Sequence, residues 1–318
     1  MLKIAVLDDY AGVALDCADW DSLGGDVTVF TAPIPAADLL KTLQGFDVIC
    51  LMRERTPFPA DLINGLTDLR LIVTTGPRNL SIDVAAARAR GVTVCGTRSR
   101  KTTTSELTMT LMLVLSRKLL PEARSLAEGG WQSAIGRDLA GLRLGLIGLG
   151  NIGGQMAKLG AAFGMSVTAW SPNLTEERAA EAGIGFAPSS TALAACSDVL
   201  SVHMVLSEQT RMLIGAEVFA ALPEGAIFLN TSRAGLVDRD ALWTGMRQGH
   251  PWAAGIDVFE DEPLPAMDPW RAAAQEFGDR LLLTPHLGYT TQATWDLFYQ
   301  DTVAAIAAFQ AGAPIREL

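Results

Sequence analysis

"GLIGLGNIGGQMAKLG", residues 145–160, is the stretch on which the reading of this chain turns. An apolar run, "RLGLI" (143–147), leads into it, and "NIGGQMAKLGAAFG" (151–164) leads out with helical spacing. Between them Gly148, Gly150 and Gly153 stand in G-x-G-x-x-G spacing. On its own the pattern is weak; between a strand and a helix each glycine has a mechanical reason. Gly148 permits the tight turn, Gly150 lets the backbone approach a pyrophosphate, and Gly153 lets the helix lie close to the strand. The first N–H groups of the helix, from Asn151 and Ile152 onward, have no partner within the helix and suit an anion. The stretch predicts a dinucleotide-binding strand–turn–helix. One part of that pattern is missing. An acid is expected about 20 residues on, after the second strand, to hold the ribose hydroxyls; there the chain reads "TAWSPNL" (168–174), with Ser171 in its place.

Working outward, short apolar runs alternate with amphipathic stretches on both sides. After the loop come "MSVTAWS" (165–171), "IGFA" (184–187), "SDVLSVHMV" (197–205), "GAIFLN" (225–230), "AAGIDVF" (253–259) and "RLLLTPH" (280–286), which predict a parallel sheet of six or seven strands. Before it, "KIAVLD" (3–8), "VTVF" (27–30), "DVICLM" (47–52), "LRLIVTT" (69–75) and "GVTVCG" (91–96) predict another, with "PAADLLKTL" and "SIDVAAARARG" as intervening helices. The fold class is therefore α/β, with two doubly wound parallel sheets. The segment from Ser105 is apolar nearly all round as far as Leu115, which predicts a helix buried on every side, within the protein or against a second subunit, and bent or restarted at Pro121. The tail "TQATWDLFYQDTVAAIAAFQAG" has helical spacing and ends at Gly312.

Composition narrows the function classes. Hydrophobic residues make up 49% and charged residues 19%, the balance of a well-buried globular protein. A net charge of −10 argues against nucleic acid and anionic membrane surfaces as partners. Cys17, Cys50, Cys95 and Cys196 are widely spaced, which suggests neither a disulfide framework nor a zinc site. The N-terminal apolar run turns acidic too soon for a signal peptide, and no apolar segment is long enough to span a bilayer, so the expected compartment is the cytoplasm.

Three further residues follow the carboxyl ends of strands in the same predicted sheet as the glycine loop, where open parallel sheets bind their ligands. Arg233 lies in "FLNTSRAGLVDRDAL" (228–242), with Asp238 as a cap for the next helix. Glu262 lies in "AAGIDVFEDEPLP" (253–265), after Asp257 at a strand's end. His286, one of three histidines, lies in "LLLTPHLGY" (281–289). A histidine titrating near neutrality can exchange a hydroxyl proton, a carboxylate can orient it and stabilise its charged form, and an arginine can hold a substrate carboxylate in a bidentate grip. Together with a nicotinamide they suit hydride transfer at a carbon bearing oxygen.

The motifs "GLIGLGNIG", "LNTSRAGLVDRDAL", "GIDVFEDEPLP" and "LTPHLG", in that order, resemble the D-isomer-specific 2-hydroxyacid dehydrogenase family over nearly the whole chain. The resemblance implies that Arg233, Glu262 and His286 are the catalytic trio. It implies a dinucleotide-binding Rossmann domain over 99–287 and a discontinuous flavodoxin-like substrate domain made of 1–98 and 288–318, with the active site between them. Gly148, Gly150, Asn151, Ile152, Gly153, Ser171, Asn173, Thr231 and Asp257 would contact the cofactor, Asp257 at the nicotinamide carboxamide. "TTGPRN" (74–79) matches the family's substrate-carboxylate loop, where Gly76 and its neighbours would donate N–H groups and Arg78 could touch substrate. His203 is expected to be structural or to offer a backbone contact. The implied cofactor is NAD or NADP, left open by Ser171; the implied partner is a small 2-oxo or 2-hydroxy acid such as glyoxylate or hydroxypyruvate, and the implied assembly is a homodimer. Formate or phosphite oxidation on the same scaffold is an alternative. Formate dehydrogenases of this type pair the histidine with an amide, so Glu262 speaks against that reading. A nucleotide-sensing, corepressor-like binding protein is another, which turnover of a 2-oxo acid would exclude.

Overall fold

The computed structural model describes residues 1–318, which form two compact units: Met1–Arg100 with Thr290–Leu318, and Lys101–Tyr289. In the first, β1 (Lys3–Val6), β2 (Asp26–Val29), β3 (Val48–Leu51), β4 (Leu71–Thr74) and β5 (Thr93–Gly96) form a fully parallel sheet in the order β2-β1-β3-β4-β5. This is the flavodoxin-like order, with its switch point between β1 and β3. The central strands β3 and β4 are buried at every position, as consecutive apolar residues covered on both faces require. Helix Val84–Ala89 is capped by the Asp83 carboxylate, which accepts from the Ala86 N–H, and the chain leaves it through Gly91 at φ +73°.

The last segment completes this unit. Helix Gln292–Gln310 begins at a Thr291 cap and buries Trp295, Phe298, Tyr299 and Ile306. Its Asp301 accepts from the Arg98 backbone N–H at 2.8 Å and from the Arg98 guanidinium at 3.0 and 2.8 Å. Beyond it, Glu317 bridges antiparallel to Cys95, and the Leu318 N–H donates to the Val94 carbonyl at 2.9 Å.

In the second unit, β6 (Arg143–Ile147), β7 (Ser166–Trp170), β8 (Gly185–Phe186), β9 (Val199–Val202), β10 (Ile227–Asn230), β11 (Ala253–Ile256) and β12 (Leu281–Leu283) form a parallel sheet in the order β12-β11-β10-β9-β6-β7-β8. The direction of winding reverses at β6, where β7 lies on one side and β9 on the other, so the glycine loop emerges at the switch point. Alternate residues feed separate cores. Leu200, Phe228 and Ala254 point to one face, and Leu144, Leu146, Val199 and Leu229 to the other.

Helix Thr103–Arg117 differs from its sequence reading in two ways. It ends at Lys118, which takes the left-handed conformation at φ 52°, and helix Leu119–Ala127 then starts. Pro121 makes no break; it lies in the first turn of the new helix, where a missing N–H costs nothing. Nor is the first helix buried all round within the chain: Thr108, Met109, Leu111, Met112 and Leu115 are buried, while Glu106, Thr110 and Arg117 are exposed.

Burial pushes the Asp301 carboxyl up, but the Arg98 hydrogen bonds and charge outweigh it and hold it below the usual carboxylate range. That stabilisation is present at neutral pH and is lost as pH falls below about 4 towards the depressed folded value. Asp301→Ala is therefore expected to cost about 2 kcal/mol at neutral pH, a modest sum because the Arg98 side chain is 70% exposed. Thermal unfolding of parent and variant should show a gap that narrows towards about pH 3; a gap constant with pH would remove the ion pair as its cause.

Candidate active site

Helix Asn151–Ala162 starts at Gly150, and its first turn carries no acidic residue. Gly148 has φ +101°, and a β-carbon there would strike the His203 carbonyl oxygen. A β-carbon on Gly153 would strike the Gly148 carbonyl oxygen. One on Gly150 would meet nothing within 4 Å. Two glycines thus serve close internal approach and the third leaves open room above the loop, the arrangement a pyrophosphate needs. His203 supports the turn from below. Its ring Nε2 lies 2.8 Å from Ser201 Oγ, and burial pushes its imidazole down to about 3, so the ring is neutral.

Ser171 is brought to the same place. The Gly148 N–H donates to the Trp170 carbonyl at 2.8 Å, which ties the end of β7 to the glycine loop. The chain turns at once, with the Leu174 N–H on the Ser171 carbonyl at 3.1 Å. Leu174 is buried and anchors the turn, leaving Ser171 half-buried and Asn173 exposed.

Arg233 sits on a loop shaped by its own short polar residues. Asn230 Nδ2 donates to the Arg233 carbonyl at 3.0 Å, and Asn230 Oδ1 accepts from the Ser232 N–H at 3.0 Å. Ser232 Oγ donates to the Met204 carbonyl at 2.7 Å, and Arg233 Nη1 donates to the Ser232 carbonyl at 2.7 Å. Thr231 is buried, and its hydroxyl pairs with that of Thr108 at 2.8 Å. The Thr108 hydroxyl already donates to the Thr104 carbonyl at 2.8 Å, so Thr231 is the donor of the pair.

Glu262 and His286 meet directly, with 2.5 Å between Glu262 Oε2 and His286 Nδ1. Both side chains are half-buried, and Glu262 Oε1 accepts from the Phe259 N–H at 2.9 Å. Burial pushes the Glu262 carboxyl up, but the hydrogen bond and charge of His286, the Phe259 N–H and the charge of Arg233 outweigh it and leave it below the usual range. Glu262 is therefore an anion wherever the ring has need of one. The Tyr289 ring stands edge-on to the imidazole at 5.4 Å. His286 has φ +53°, a left-handed conformation that costs a residue with a β-carbon on the order of 1 kcal/mol.

Asp257 is fully enclosed. One carboxylate oxygen accepts from Thr284 Oγ1 at 2.6 Å and the Leu287 N–H at 2.7 Å, and the other accepts from the Gly288 N–H at 2.9 Å. Burial pushes its carboxyl up, against the pull of those hydrogen bonds and of the His286 charge.

In the other unit, the loop after β4 departs from expectation. The Gly76 N–H donates to Thr97 Oγ1 at 2.7 Å, so it is not the free donor that the resemblance implies for a substrate carboxylate. Pro77 has no N–H to offer, and Arg78 is exposed. Gly76 is required for another reason: it has φ +92°, and a β-carbon would strike the Arg53 guanidinium that lies across it.

Residues 109–288 match the family model described as the D-isomer specific 2-hydroxyacid dehydrogenase, NAD binding domain. The chain belongs to the D-isomer specific 2-hydroxyacid dehydrogenase family. It is 36% identical to the hydroxypyruvate reductase of Thermotoga maritima over 80% of its own length and 81% of that protein's. It is 34% identical to the D-3-phosphoglycerate dehydrogenase of Methanocaldococcus jannaschii over 84% of its length, and spans about half of that relative, 50%. Among solved structures, an oxidoreductase from Ralstonia solanacearum superimposes with a TM-score of 0.92 at 32% identity, over 100% of this chain and 96% of that one. As a 2-hydroxyacid dehydrogenase it is an NAD-linked oxidoreductase acting on CH–OH donors.

Sequence reading missed the residues that shape the dehydrogenase's loops: Asn230, Ser232, Thr104 and Thr108. The only advance signal was the run "NTS" before Arg233, residue types that bond to nearby backbone. For the glycine loop the geometry sets a test. Gly148→Ala should weaken NADH binding at least about tenfold, because a left-handed alanine pressed on the His203 carbonyl must move the loop. Quenching of tryptophan fluorescence by NADH would measure this, and undiminished affinity would take the cofactor off this turn.

Proposed function

We propose that this enzyme reduces a small 2-oxo acid, of the glyoxylate or hydroxypyruvate class, to the D-2-hydroxy acid. The observation that carries the proposal is the 2.5 Å contact between His286 Nδ1 and Glu262 Oε2, with the charge of Arg233 bearing on the same carboxylate. With Nδ1 on Glu262, exchange of a proton with substrate falls to His286 Nε2. The protonated ring donates from Nε2 to the carbonyl oxygen as that oxygen becomes an alkoxide, and the Glu262 anion stabilises the charged ring beforehand. Arg233 grips the substrate carboxylate and draws electron density from the adjacent carbonyl. The nicotinamide, when bound, supplies the hydride. Gly148, Gly150, Asn151, Ile152 and Gly153 would hold the pyrophosphate, and Ser171 and Asn173 the ribose. The similarity to a hydroxypyruvate reductase supports the substrate class.

Assembly as a homodimer in the cytoplasm is part of the same reading. Leu119, Leu126, Trp131 and Ile135 are 50, 58, 76 and 89% exposed, an apolar surface that suits a second copy. No helix is long and apolar enough to cross a membrane.

Two experiments test the proposal. A panel of 2-oxo acids followed by nicotinamide absorbance should show turnover of the small members, lowered about 10²–10⁴-fold in His286→Ala. Reduction needs the ring charged, so Glu262→Gln, which removes its anionic partner, should make reductive activity fall off at a lower pH than in the parent. An unmoved pH limb would separate Glu262 from the proton transfer.

Cofactor choice rests on Ser171. A carboxylate there would accept from the ribose hydroxyls and repel a 2′-phosphate; serine does neither strongly, and the nearby Arg178 follows Glu176 and Glu177 on an exposed helix. The enzyme is expected to use NADH with weak discrimination against NADPH. Ser171→Asp should move the ratio of kcat/KM values towards NADH by at least about tenfold, or about 1.4 kcal/mol. An unchanged ratio would place the ribose elsewhere.

A further inference from the structure

We infer that Asp257 and Thr104 are positioning residues that grip the 284–289 loop from opposite sides and hold His286 in the backbone conformation that aims its ring at Glu262. The inference rests on His286 being the proton donor of the proposed reaction. His286 has φ +53°, and its N–H reaches back to the Thr284 carbonyl, at 2.9 Å. That conformation carries a steric cost in a residue with a β-carbon. Around it, three donors converge on one enclosed carboxylate: Thr284 Oγ1 from before the ring, and the Leu287 and Gly288 N–H groups from after it. On the carbonyl side of the same loop, Thr104 Oγ1 donates to the Gly288 carbonyl at 3.1 Å. Gly288 therefore has both backbone groups held by side chains, one from the end of β11 and one from helix Thr103–Arg117. A β-carbon at Gly288 would lie 3.2 Å from Asp257 Oδ2 and 3.4 Å from Thr104 Oγ1, so the two gripping atoms close on it from both directions.

The same helix end is tied to two other parts of the site. Ser105 Oγ donates to the Thr102 carbonyl and lies 2.8 Å from Gln155 Oε1, on the helix that begins at the glycine loop. Thr108 Oγ1 meets Thr231 Oγ1, two residues before Arg233. Thr104 thus references the histidine loop to a rigid element that also carries the cofactor helix and the arginine loop. The resemblance implies that Asp257 faces the nicotinamide carboxamide; its enclosed carboxylate also accepts three hydrogen bonds from the loop, and through them it sets the position of the ring.

The test uses the whole protein, with reduction of glyoxylate or hydroxypyruvate by NADH. Thr104→Val keeps the shape and removes the donor. It should lower kcat roughly threefold to tenfold, the worth of one neutral hydrogen bond, with the NADH dissociation constant unchanged. Thr104→Ser, which restores the hydroxyl, should recover kcat; a merely structural loss would lower cofactor affinity and kcat together. Asp257→Asn, which sets an amide against backbone N–H groups, should lower kcat by about a hundredfold or more. Parental kcat in both Thr104→Val and Asp257→Asn, alongside an inactive His286→Ala, would overturn the inference and leave the proposed function standing. Loss of NADH affinity without loss of kcat in Asp257→Asn would likewise overturn it, by making Asp257 a cofactor contact. An active His286→Ala would instead overturn the proposed function.

Discussion

The imidazole–carboxylate contact between His286 and Glu262 works only because each partner is denied an easier alternative. An exposed histidine and glutamate at this range would contribute little, since water competes for both and salt screens them. Here both side chains are half-buried, and the second oxygen of Glu262 is held by the Phe259 N–H. The carboxylate can neither rotate away nor take up a proton readily, so the ring meets a standing negative charge. Arg233 needs the same condition, because its charge reaches Glu262 in a region where water screens it only in part.

That condition is a product of the parallel sheet. β10, β11 and β12 lie side by side in one direction, so the chain leaves all three at the same end. The loops after them are bonded into one another: Asn230 to Ser232 and Arg233, Asp257 to the loop after β12, and Glu262 to His286. Side chains far apart in sequence meet without any of them sitting on a long flexible arm. The left-handed backbone at His286 is tolerated within this mesh because its neighbours hold it from several sides.

The sheet and the glycine turn were legible in the sequence because each rests on a short-range signal. Consecutive apolar runs mark buried parallel strands, and Gly148, Gly150 and Gly153 carry their spacing openly. What could not be read depends on which neighbour takes up a polar group. Gly76 has the residue type of an anion-binding loop, yet its N–H is taken by Thr97, which lies 21 residues further on. Asp257 follows a strand like a ligand contact, and nothing local records that its oxygens also accept from Thr284, Leu287 and Gly288. The break after Arg117 falls at Lys118 and not at Pro121, the residue with the strongest backbone rule, because a single left-handed residue turns the chain without disturbing either helix. Side-chain partners across a fold are set by packing, and no local pattern records them.

The return of the chain to its first unit bears on how the protein is made. The five-stranded sheet is finished as soon as β5 has been synthesised, but Trp295, Phe298, Tyr299 and Asp301, which cover it and tie down Arg98, come from the last helix. Until then apolar surface on that sheet stays open, while the Lys101–Tyr289 unit, continuous in sequence, already has all it needs to close. On a ribosome the order of completion is therefore the reverse of the order of synthesis, and the first hundred residues form the part most in need of shelter from aggregation until the C-terminal helix arrives.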